Sequence, residues 1–230
     1  MKNFMCLFFA VFTFVAHADI KLPAIFSDNM VLQQQSQVAV WGWAKPNAKV
    51  SVSGSWNKKS YTAKSDAQGC WRVKIETPAA GFTSYSLTVS DGKAVTIRNI
   101  LIGEVWVCSG QSNMEMPMKG FSSNEPIAGG PEAIASSSNN GIRCFTVTKT
   151  PKANPQDDCT GAWAIANPQT TPNFTAVGYF FGRLLNQALN VPVGLVHTSW
   201  GGSPACRRIS NPRRWGWFTP VGAGLPSKRG

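Results

Sequence analysis

The stretch Gly103-Glu-Val-Trp-Val-Cys-Ser-Gly-Gln-Ser-Asn-Met114 constrains this chain more than any other. Its apolar run, residues 105–108, reads as a buried strand, and it stops at Ser109-Gly110 before the polar turn Gln111-Ser112-Asn113. A strand ending in a glycine-containing turn sets the next side chains at the carboxyl edge of a sheet, where open α/β folds bind ligands. A serine held there presents its hydroxyl to solvent, with backbone N–H groups close by for a developing oxyanion. Ser112 is therefore the candidate nucleophile, although a Gly-x-Ser triplet alone is also an ordinary tight turn.

A second strand reaches the same kind of edge. Residues 175–189 carry Ala176, Val177, Phe180, Phe181, Leu184, Leu185, Ala188 and Leu189 at helical spacing, a wide apolar stripe expected to be buried, with Thr175 as N-cap. Residues 142–148 before it and 191–196 after it read as strands, and a long loop is expected over 151–172 with Trp163 as its one large anchor. Strand, helix and strand in alternation predict a parallel α/β sheet. The turn Gly201-Gly202-Ser203 then falls on the same sheet edge as Ser112, where glycine lets backbone N–H groups approach a substrate closely.

Residues 19–100 have a different texture. Short runs at 38–43, 49–53, 70–75, 85–89 and 95–97 alternate apolar and polar residues between Gly, Pro and Asn turns, which predicts a small β-sandwich. Trp41, Trp43, Trp56 and Trp71 read as core in preference to a sugar-stacking face.

Residues 1–18 read as a secretory signal peptide, with Lys2, an apolar core at 7–15 and the small-x-small site Ala16-His17-Ala18. The expectation is a soluble exported chain, periplasmic or extracellular, without a membrane anchor. Cys70, Cys108, Cys144, Cys159 and Cys206 then remain, an odd number with no zinc-site spacing, and His197 is the one histidine after residue 18. No metal or other cofactor is expected. The net charge of +11 invites a nucleic-acid reading, but six basic residues and no acid lie in 206–230. With those six and Lys2 set aside, +4 remains, so nucleic acid is not an expected partner.

The twelve residues from Gly103 to Met114 closely resemble the nucleophile block of the SGNH-hydrolase-like carbohydrate esterases, in particular the sialate O-acetylesterases. Residues 22–33 and 174–204 are similar to other parts of that family. The resemblance implies an N-terminal β-sandwich (19–100) followed by an incomplete SGNH-type, flavodoxin-like three-layer α/β domain (101–205). It implies Ser112 as nucleophile and an oxyanion hole from Ser112, Gly201 and Gly202, with Gln111, Asn113 and His197 nearby. The substrate implied is an O-acetylated sialic acid or another O-acetylated glycan. The family's general-base His, with its Asp, comes from a later block absent from this chain, and His197 matches a scaffold position. The resemblance stops near residue 205, so residues 206–230 read as a basic, non-native tail following a broken reading frame. The expected consequences are weak or no turnover and apolar surface left bare. A carbohydrate-binding module with a vestigial esterase segment is the competing reading.

Overall fold

The computed structural model describes residues 19–122, 126–152, 154 and 156–202. The expected signal peptide, Ser203 and the basic tail lie outside them. Seven strands come first: β1 (Val31–Gln33), β2 (Gln37–Trp43), β3 (Lys49–Gly54), β4 (Ser60–Lys64), β5 (Cys70–Glu76), β6 (Gly81–Ser90) and β7 (Ala94–Cys108). Two short helices, α1 (Ser112–Glu115) and α2 (Gly130–Ala135), precede β8 (Asn139–Val147) and β9 (Gly161–Ala166). The helix α3 (Ala176–Leu189) and β10 (Val193–His197) complete a mixed α/β chain.

One eight-stranded sheet runs in the order β4-β3-β6-β7-β10-β8-β9, with β1 added parallel to β7. Strands β2 and β5 form a separate antiparallel pair. Their Val38, Val40, Trp71 and Ile75 share an apolar cluster with Val50, Val52, Leu87, Val89 and Ile97 of the large sheet. Period-two burial is clean in β3, where Val50 and Val52 point inward and the serines between them do not.

The runs at 95–97 and 105–108 belong to a single strand. β7 pairs antiparallel with β6 along its first half and parallel with β10 from Glu104 to Cys108, so the boundary drawn at residue 100 falls inside it. What hid the continuity was the polar pair Arg98-Asn99: an extra residue bulges β7 opposite β6, with Asn99 at φ 55. The bulge is pinned by Arg143 of β8, which is fully buried and donates to the Asn99 carbonyl, to Asn99 Oδ1 (3.2 Å) and to Asn140 O and Oδ1 (both 3.2 Å). Burial lowers its pKa to about 10. Further along, a Cβ on Gly103 would stand 2.0 Å from the Pro192 carbonyl oxygen, so only glycine lets the chain enter β10 there.

β10 is buried at every position and lies parallel between β7 and β8, as an unbroken apolar strand should. The expected loop at 151–172 instead contains β9, antiparallel to β8. Its Ala-Trp-Ala-Ile-Ala sequence has weak strand propensity. Burial of Trp163 fixes it, with Nε1 donating to the Ile25 carbonyl at 2.8 Å.

Helix α3 forms where expected, and Thr175 Oγ1 caps it by accepting from Gly178 N at 3.2 Å. Its orientation differs from the expectation. The buried residues are Ala176, Gly178, Tyr179, Gly182 and Asn186, whereas Val177, Phe181, Leu184 and Leu189 are exposed. A Cβ on Gly178 would meet Cys108 Sγ at 2.8 Å, and one on Gly182 would meet Leu195 at 3.0 Å. Close approach at these two glycines selects the buried face, and the sheet covers no more than that face. Phe181 stacks edge-on with exposed Trp106 of β7, their centroids 5.1 Å apart. No helix among the described residues is long and apolar enough to cross a membrane.

Candidate active site

The site is built where β7 and β10 leave the sheet together. Their in-register pairing ends at His197 beside Cys108. It continues through Thr198 N to Cys108 O (3.0 Å) and Trp200 N to Gly110 O (3.1 Å). Two chains held side by side to this point must deliver their next residues, Ser112 and Gly201, to one place. A Cβ on Gly201 would lie 3.6 Å from both Cα and Cβ of Ser112.

Ser112 opens the single helical turn α1, closed by Glu115 N to Gln111 O and Met116 N to Ser112 O (both 2.9 Å). The segment behind it is fastened to the start of α3 by Met118 N to Phe174 O (2.9 Å) and Ala176 N to Met116 O (2.8 Å). Thr175 Oγ1 also approaches Met114 Sδ at 3.5 Å. Gln111, Ser112 and Asn113 are all exposed residues on a firmly seated turn.

Two charged groups that the sequence reading passed over complete the surroundings. Glu115, at the end of α1, receives the Gly201 N–H on Oε2 and the Lys149 ammonium on Oε1. Its side chain is 17% exposed and that of Lys149 is 41% exposed. An acid three residues behind the serine, in a chain with 11 acids, was a visible signal for Glu115. Nothing in sequence could have linked Lys149 to it across 34 positions.

His197 is brought to the same edge but engages elsewhere. It is buried, its Nε2 pairs with the Ser199 hydroxyl, and its Nδ1 has no hydrogen bond of ordinary geometry. Burial chiefly, and the Lys149 charge secondarily, lower its pKa to about 4, with the Met114 backbone pulling weakly the other way. It is neutral at pH 7, with one ring nitrogen committed to Ser199. Cys70, Cys108, Cys144 and Cys159 are free thiols. Burial pushes Cys108 up to about 11 and Cys144 to about 12, so neither is a nucleophile at neutral pH.

This geometry can be set beside known proteins. The chain is 31% identical over 198 residues to the sialate O-acetylesterase of Mus musculus and 32% identical over 200 residues to that of Rattus norvegicus. The alignments cover 78% and 79% of this chain. A carbohydrate acetylesterase from Xanthomonas citri superposes with a TM-score of 0.73 at 40% identity, over 81% of this chain. The chain is sialate O-acetylesterase-like. It spans 36% of the length of the two rodent sialate O-acetylesterases and 41% of the Xanthomonas citri chain. No protein-family model matches it.

Proposed function

We propose that this sialate O-acetylesterase-like chain carries the nucleophile portion of a serine esterase that removes O-acetyl groups from sialic acid or another O-acetylated sugar. The observation that carries this reading is the exposed Ser112 at the rim of the sheet, with the Gly201 backbone packed against it.

In the proposed reaction Ser112 Oγ attacks the acetyl carbonyl carbon, and its proton passes to a base. The carbonyl oxygen becomes an oxyanion, stabilised by backbone N–H groups of Ser112 and the Gly201-Gly202 turn. Collapse of the tetrahedral intermediate breaks the bond to the sugar oxygen, which leaves with a proton, and an acetyl-Ser112 remains. Water then releases acetate by the same steps in reverse order of roles. The base is the weak point of this chain. His197 spends Nε2 on Ser199, and general acid–base help is worth about 10²–10⁴ in rate. The proposal is therefore slow chemistry at Ser112.

The likeness to the acetylesterases, together with the β2–β5 pair packed over β3 and β6, supports the finer fold reading. That reading is a β-sandwich over 19–100, continued through the unbroken strand β7 by an SGNH-type domain over 101–205. Export through residues 1–18 belongs to the same proposal.

The test is acetylation by p-nitrophenyl acetate, followed by mass spectrometry of the Ser112 peptide. A slow acetyl adduct on that peptide, absent in Ser112→Ala, is the expected result. Equal nitrophenol release by both proteins, with no adduct on the wild-type peptide, overturns the reading.

A further inference from the structure

We infer that Glu115 is a positioning residue that reserves the Gly202 N–H, and not that of Gly201, as the glycine donor to the oxyanion. The inference rests on the esterase reading of Ser112 and deepens it.

An N–H makes one good hydrogen bond, and that of Gly201 is given to Glu115 Oε2. The carboxylate is not free to leave cheaply, because Lys149 grips Oε1 and charge-assisted bonds are about twice as strong as neutral ones. An oxyanion arriving at the Gly201 N–H would also meet the Glu115 negative charge in a partly buried setting, where like charges are poorly screened. The next amide along the turn has none of these obstacles. Gly202 is exposed at φ 70, and its N–H donates no hydrogen bond among the described residues. Glu115 thus ties three segments: α1 with the nucleophile, the connection after β8 with Lys149, and the turn after β10. Gly201 is the fixed post of that turn, set against Ser112, and Gly202 is the working donor.

Two measurements on the full chain test this. Amide hydrogen exchange by NMR should show Gly201 protected about tenfold or more over Gly202. Glu115→Ala should erase that difference, whereas Glu115→Gln, which keeps an acceptor oxygen, should retain most of it. Labelling of Ser112 by a biotinylated fluorophosphonate should fall about tenfold in Glu115→Ala and stay within about threefold in Glu115→Gln, with melting temperatures recorded for both. Equal exchange of the two glycine amides in the wild type, or wild-type labelling of Glu115→Ala, overturns the assignment. A wild-type chain labelled no faster at Ser112 than the Ser112→Ala background overturns the esterase reading instead, and the exchange rates alone then decide whether Glu115 holds Gly201.

Discussion

The Cβ that Gly201 lacks would stand 2.8 Å from Oε2 of Glu115 and 3.6 Å from the Cβ of Ser112. A carboxylate could swing aside from an added methyl if it were free, but Lys149 holds this one. Gly201→Ala is therefore expected to push the Gly201 turn away from Glu115 and Ser112 and so break the bond from the Gly201 N–H. Acetylation of Ser112 should slow about tenfold while the melting temperature moves little, as intact-protein mass spectrometry and calorimetry would register.

His197 makes stability depend on pH in a defined window. Its folded pKa of about 4 lies below the ordinary 6.5, so between those values the unfolded chain binds more protons than the folded one. Stability is complete above pH 6.5 and is lost as pH falls toward 4, by at most about 3 kcal/mol. Denaturant titrations across that range should show the slope, and His197→Gln, which cannot titrate, should flatten it.

Among the described residues Arg143 has no acidic partner; carbonyl oxygens of Asn99 and Asn140 accept hydrogen bonds from its guanidinium. Arg143→Met would fill similar volume but leave the half-buried Asn99 carbonyl without its donor, at about 1–3 kcal/mol, and release the β7 bulge that the guanidinium pins. We expect a loss of about 2–4 kcal/mol in urea unfolding. Arg143→Lys should recover little, since an ammonium cannot span both asparagines.

The outward stripe of α3, Val177, Phe181, Leu184 and Leu189, continues onto Trp106 and leaves apolar surface in water. The double variant Phe181→Lys/Leu184→Lys should bind less of a hydrophobic dye and aggregate less. Its unfolding free energy should change by no more than about 0.5 kcal/mol per site, because neither side chain is part of the core.

Sequence periodicity was informative where burial is one-sided and the period clean. The runs that became β2, β3 and β5, the apolar β10, and α3 with its Thr175 cap were all legible for that reason. It failed where tertiary packing chose among equals. In α3 every turn offers apolar residues, and the glycines at 178 and 182 decided which face went inward. Edge strand β4 exposes alternate residues and buries none fully, so Ser60–Lys64 carries almost no signal. Ser112 and the Gly201-Gly202 turn stood out because each follows an apolar strand. Lys149 did not, since its role exists only once β8 lies beside β10.

Strand β7 has a thermodynamic corollary. Its fifteen residues hydrogen-bond to β6 and β1 at one end and to β10 at the other, so neither neighbour can melt without baring a row of amides on the spine they share. A chain laced together in this way has no internal seam at which to part. Heating should produce one cooperative heat-absorption peak, with calorimetric and van't Hoff enthalpies in agreement, and proteases should find no early cut near residue 100.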